Sequence, residues 1–196
     1  SVEEPEKDKV LRGSRDGFIE ALIPNMALIR RRIRDKNLMF KFARVGRSSR
    51  TDIAVGYMNG RGNEKDVKKV MDSINSMDVD ALTMNQESLA EMLFPGKWIN
   101  PFPKYKYTER PDTAAASMLE GSIVILVDNS PAVMILPTSL FGIIEDANDY
   151  YFPPVTGTYL RITRMVTNIL AVFITPLIGL IPNCAASVLI SNLFLE

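Results

Sequence analysis

The charges of this 196-residue chain are unevenly divided. Every lysine and arginine lies at or before Arg164, and no residue from Met165 to Leu195 is charged. A helix in water carries its apolar residues as one stripe, so an uncharged run of this length has few ways to fold. A membrane-spanning helix needs roughly 20 mainly apolar residues. The run from Tyr159 to Ile181 supplies about that many, on the order of 34 Å at 1.5 Å per residue. Tyr159 stands where an interfacial aromatic belongs, and Arg161 with Arg164 marks the entry side as cytoplasmic by the positive-inside rule. A core helix of the same composition is the weaker reading, because so small a chain has little domain to enclose it. Pro176 and Gly179 are tolerable inside a membrane helix. Cys184 to Leu195 is too short to span alone and reads as the beginning of a second apolar segment.

The predicted organisation follows. Residues 1–9 form a charged linker, 10–156 a soluble domain, 157–181 a transmembrane helix and 182–196 a truncated second hydrophobic segment. The opening Ser1-Val2-Glu3-Glu4-Pro5-Glu6 has no apolar core and is no signal peptide. With no initiating Met, the chain reads as a piece of a longer membrane protein.

Within the head, apolar residues from Phe18 to Ile33 recur at helical spacing, with a kink or break expected at Pro24. Strands are expected at 38–46 and 51–58, followed by a helix over 64–77 capped by Asn63. A short helix over 87–93 precedes an irregular loop that leads into a short strand near Tyr107. Pro111 opens a helix ending at Gly121. Two strands, 123–128 and 132–136, flank Asn129-Ser130-Pro131 and read as a hairpin buried on both faces. A last short helix is expected from Pro137. Helices and strands interleave, so the predicted class is an α/β head with a mixed β-sheet and flanking helices, followed by the transmembrane helix.

Zero histidine excludes Ser-His-Asp and Cys-His catalysis and His-ligated zinc, and one cysteine excludes an intrachain disulfide. No phosphate-binding glycine pattern is present; Gly60-Arg61-Gly62 does not make one. Glu145, Asp146 and Asp149 lack the spacing of a calcium loop and read as a solvated segment. The expectation is therefore no catalytic residue, no metal, no cofactor and no enzyme.

Residues 9–50 hold twelve basic and three acidic side chains, densest at Arg30-Arg31-Arg32. At a helix C-terminus such cations are favourable by about 0.3–1 kcal/mol each. They could equally meet anionic headgroups or a neighbouring subunit. Nucleic acid ranks below these, since no RNA-binding aromatic signature accompanies them. The candidate subunit or membrane-proximal interface is Arg15, Asp16, Arg30, Arg31 and Arg32. Glu109 and Arg110 form a candidate structural charged pair before a helix start.

Several motifs occur together in a specific order. They are Arg12-Gly13-Ser14-Arg15-Asp16-Gly17-Phe18-Ile19-Glu20, Asn25 and Ala27 to Ile33, Gly46-Arg47-Ser48-Ser49-Arg50-Thr51, Asn100-Pro101-Phe102-Pro103, Tyr107 to Asp112, and Leu119-Glu120-Gly121. In order and spacing this set resembles the bacterial spore germinant receptor A-subunit (GerA) family. Glu3-Glu4-Pro5 and Val127 to Ile135 resemble a branch associated with stage V of sporulation. The resemblance covers about Glu3 to Leu180 and departs after Pro182. It implies a spore inner-membrane protein of germination, with its head on the core side. It also implies a homo-oligomer forming an ion-conducting path, and other spore membrane proteins as partners. The bilayer is a further expected partner and nucleic acid is not. The competing expectation is a membrane-anchored sensor whose head binds a small germinant or a partner protein and relays the signal.

Overall fold

The computed structural model describes residues 16–82, 85–94, 104–137 and 154–193, with side chains for all of these except 85, 154 and 175–193. The expected linker at 1–9, Arg15, the helix expected from Pro137, and the Glu145, Asp146 and Asp149 cluster lie outside the described residues. The chain divides into two compact units, Ser1–Ile143 and Ile144–Glu196.

The first unit runs α1 (Leu22–Arg32), β1 (Leu38–Val45), β2 (Thr51–Met58), α2 (Glu64–Asn75), α3 (Asn85–Leu93), β3 (Lys106–Thr108), α4 (Pro111–Leu119), β4 (Ile123–Val127) and β5 (Val133–Leu136). The five strands form one sheet in the order β1-β2-β4-β5-β3. Every pairing in it is antiparallel, with Lys41 opposite Val55, Val55 opposite Ile125, Ile125 opposite Met134 and Met134 opposite Tyr107. This corrects the expected mixed sheet. Interleaved helices show that a sheet is covered, but they do not fix strand direction; here two hairpins set neighbouring directions and the helices fill the long connections.

Every side chain of β4 and β5 is buried, as the two-sided apolar runs require. One face carries Val124, Leu126, Val133 and Ile135 under α1 and α4, through Leu28, Ile29, Ala114 and Met118. The other carries Ile123, Ile125, Val127 and Met134 under α2 and α3, through Val67, Ile74, Leu89 and Ala90. The result is three layers, helix–sheet–helix.

Local chemistry sets the boundaries. Asn63 caps α2, its Oδ1 accepting from Lys65 N–H at 3.1 Å. Gly121, at φ +100°, ends α4: its N–H donates to Met118 O at 3.0 Å while Ser122 N–H donates to Ser117 O at 2.9 Å. This is the paired closure that favours glycine at its left-handed position. A Cβ on Gly121 would also stand 2.8 Å from Arg61 O. The helix expected over 18–33 is shorter. Residues before Leu22 are not helical, and Pro24, in the first turn of α1, neither breaks nor kinks the pattern because no hydrogen bond is lost there.

Arg110 is the largest charged side chain in the core, 1% exposed. Its Nε donates to Asp112 Oδ1 at 3.0 Å and its Nη2 to Asp112 Oδ2 at 2.5 Å. A planar fork against one carboxylate is the geometry in which a buried guanidinium is tolerated. The ion pair seen at the expected Glu109–Arg110 position is thus Arg110 with Asp112. Glu109 contributes its carbonyl, which accepts from Phe18 N–H at 2.8 Å.

Among the described residues the second unit is one helix, α5 (Pro154–Leu193), 40 residues long. It begins before the expected boundary at Gly157 and continues through Pro182, so 157–181 and most of 182–196 belong to one element. Among the described residues no helix is long and apolar enough to cross a membrane. The described side chains of α5 end at Ile174 and include Arg161 and Arg164, so the rest of the expected span lies outside them.

Two stability outcomes follow. Asp112→Asn keeps the shape but removes the charge facing Arg110, and should destabilise the α/β unit by about 3 kcal/mol. Arg110→Met together with Asp112→Asn should recover part of that loss in a double-mutant cycle read by thermal melting. Gly121→Ala should cost about 1–3 kcal/mol, from the left-handed backbone and the close approach of Arg61 O, by the same measurement.

Candidate functional site

The described part of the motif-bearing segment before α1, residues 16–21, is neither helix nor strand. Ala21, which precedes α1, has no side-chain cap to offer, and the first turn holds no acid. The missing acceptor comes from a residue far along the chain: Asp128 Oδ1 accepts from Leu22 N–H at 3.1 Å. A carboxylate there also meets the positive end of the helix dipole. Asn25, 1% exposed, faces back along the segment. Its Oδ1 accepts from Ile19 N–H at 2.8 Å and its Nδ2 donates to Ile19 O at 2.5 Å. Only a side-chain amide can both donate and accept in this way, which gives the motif asparagine its physical reason.

The arginines at the far end of α1 point in different directions. Arg31 and Arg32 both bind the Asp16 carboxylate, Arg32 at 3.3 Å. Arg30 turns away from them. It donates to Asp35 O at 3.1 Å and Leu38 O at 2.9 Å, and its guanidinium lies 5.8 Å from the centre of the Phe40 ring. Of the candidate interface, the structure brings Asp16, Arg31 and Arg32 together and sets Arg30 apart against β1; Arg15 lies outside the described residues. Asp16 and Arg32 side chains are mostly covered, at 27% and 18% exposed, whereas Arg31 keeps 57% exposure. Arg31 is therefore the member best placed to meet something outside the chain.

The turn between β4 and β5 is a hub that the sequence reading marks only as a turn. Asp128 N–H donates to Asp52 O at 3.0 Å and Asn129 N–H donates to Glu20 O at 2.8 Å. Asn129 takes φ +59°, which asparagine tolerates better than most residues. The buried Gln86 amide lies 2.6 Å from Ser130 Oγ. With its nitrogen toward Ala132 O and its oxygen toward Met134 N–H, both at 3.2 Å, all its neighbours are matched. One turn thus ties the starts of α1, β2 and α3 together. The polar run Asp128-Asn129-Ser130 is the only sequence signal for it, and it does not say which elements would be bound.

A third grouping lies on the β3 side. Phe94 stacks on Tyr105 at 5.4 Å and Tyr105 meets Tyr107 edge-on at 5.3 Å, with Lys104 Nζ 5.7 Å from the Phe94 ring centre. Burial, with Tyr105, Glu87 and Glu91 nearby, pushes the Tyr107 hydroxyl above its ordinary range, so it stays protonated. Among the described residues no group of three or more Cys, Asp or Glu could hold a metal ion. The described geometry offers fasteners and cationic contacts.

The profile of the Bacillus/Clostridium GerA spore germination protein family matches residues 1–186. The stage V sporulation protein AF of Bacillus subtilis (strain 168) is 46% identical over 162 residues, covering 83% of this chain and 33% of that protein. The uncharacterized membrane protein YfkQ of the same organism is 32% identical over 174 residues, 89% of this chain and 34% of that protein. The crystal structure of the N-terminal domain of the A subunit of the Bacillus megaterium spore germinant receptor GerK3 is 32% identical, covering 62% of this chain and 95% of that chain at a TM-score of 0.49. The chain spans about a third of the length of the curated relatives it matches. It belongs to the Bacillus/Clostridium GerA family of spore germination proteins.

Proposed function

We propose that this chain is part of a subunit of an oligomeric, ion-conducting membrane complex in spore germination. In this reading α5 lies in the bilayer and the α/β unit is on the cytoplasmic, spore-core side. The observation that carries it is the exposed apolar face of α5. Tyr159, Ile162, Val166, Val172 and Phe173 are all exposed, Val172 at 70% and Phe173 at 67%. At 100° per residue Tyr159, Ile162, Val166 and Phe173 fall within about 60° of one another and Val172 about 80° beyond them, a wide exposed apolar face. The helix then continues to Leu193 through a sequence without charge. At 1.5 Å per residue its 40 residues extend about 60 Å, ample for a hydrocarbon layer of about 30 Å. Arg161 and Arg164 sit at the polar end, which supports the cytoplasmic assignment. Kinship with the stage V sporulation protein AF and with a relative named as a membrane protein supports the same reading.

Oligomer contact is assigned to the cationic end of α1, where Arg31 is more than half exposed. The conducting path belongs to helices of the whole protein beyond this third of it, with the α/β unit holding subunits in place.

The full-length protein that carries this chain should pass ions when reconstituted in liposomes. Arg31→Glu should reduce both assembly and flux about tenfold, or about 1.4 kcal/mol. Asp16→Asn, which removes the internal ion pair without reversing a charge outside it, should leave assembly near normal. Unchanged assembly and flux in the Arg31→Glu protein would remove the interface assignment.

A further inference from the structure

Among the described residues β1 is an edge of the sheet, and no strand pairs with its outer side. Asn59 N–H donates to Asn37 O at 2.8 Å, which fixes the hydrogen-bonding phase of the β1–β2 ladder. In an antiparallel pair bonded and non-bonded residues alternate, so Met39, Lys41, Ala43 and Val45 turn their backbone groups toward β2. Leu38, Phe40, Phe42 and Arg44 turn theirs away. Arg30 takes the first of these acceptors, Leu38 O. Among the described residues no backbone bond reaches Phe40, Phe42 or Arg44 from the open side.

Charges on an exposed edge, inward-pointing ones included, ordinarily discourage pairing with another copy. On β1 both cations lean inward onto β2. Lys41 Nζ lies 5.5 Å from the Tyr57 ring centre, and Arg44 Nε donates to Asp52 Oδ1 at 2.7 Å. Beside these cations the edge presents Met39, 45% exposed, and Phe42, 58% exposed, on opposite faces.

We propose that the β1 edge is a docking site for an extended segment of another protein, with alternating apolar and acidic side chains, added to the sheet as a further strand. Charge complementarity selects the acid. From Arg30 to Arg44 the chain carries seven basic residues and one acidic residue. The apolar side chains of the guest pack on the Phe40–Phe42 face, and its carboxylates meet Lys41 on the other. The same charge argues against a second copy as occupant. β1 carries Lys41 and Arg44 and no acid, so two β1 strands paired antiparallel would set cation beside cation.

A ten-residue peptide alternating valine and glutamate, titrated into the full chain, tests this against one alternating valine and lysine. The glutamate peptide should bind saturably, at least about tenfold more tightly than the lysine peptide, and more weakly as salt rises. Amide protons of Phe40, Phe42 and Arg44 should gain protection from exchange, while those of Met39 and Ala43 should not change. Phe42→Pro should abolish binding without loss of a β1–β2 bond, because the N–H it removes points outward. Lys41→Glu should weaken binding about tenfold and carries the test should the proline variant not fold. Equal affinity for both peptides, no binding, protection elsewhere, or binding that survives both substitutions would overturn the proposal. So would self-association of the chain that Phe42→Pro abolishes.

Discussion

Two strands with no solvent face decide the architecture of the α/β unit. Because β4 and β5 bury every side chain, the sheet must be covered on both sides. Four amphipathic helices meet that demand, α1 and α4 on one face and α2 and α3 on the other. The same constraint makes the β4–β5 turn valuable. It lies where two buried strands reverse, so its polar groups are close to the starts of three other elements. Asp128 completes α1, Asn129 holds the segment before it, and Ser130 with Gln86 holds α3. Arg110 follows the same rule at the start of α4: a charge inside this layered core is tolerated because Asp112 meets it with a matching fork.

Helix α5 faces the opposite situation. The head hides its apolar surface within itself, whereas the described side chains of α5 leave theirs exposed from Val155 to Ile174. At about 25 cal/mol per Å² such exposed surface is costly in water. Hydrocarbon removes that cost without further protein contacts. The proposed membrane role therefore rests on the same physics as the core, applied where the chain supplies no cover of its own. Membership of the GerA family places both halves in one biological setting, spore germination.

Much of this was legible in the residues. Strand β2 matches its expected bounds, Asn63 and Gly121 cap where their chemistry says they should, and the all-apolar runs of β4 and β5 forecast two-sided burial. Strand direction was not legible, since a covering helix looks the same beside parallel and antiparallel partners. The start of α1 is not legible because Phe18 and Ile19 fit a helical period, yet bonds to Asn25 and Glu109 hold that segment out of the helix. The interface candidates were legible as charge but not as geometry. Nothing local announces that Asp16 will engage Arg31 and Arg32 while Arg30 turns to β1, and the hub at Asp128 depends on a contact across 106 positions of sequence.

The most direct test of the account asks what surrounds α5. Single cysteines at Val155 and Val172, in a Cys184→Ser background, can carry nitroxide labels in the full chain reconstituted with phospholipid vesicles. The account predicts that the label at 172 collides readily with oxygen and is shielded from a water-soluble nickel relaxant, while the label at 155 shows the reverse. Equal exposure of both labels to the aqueous relaxant would place α5 in water and contradict the membrane reading.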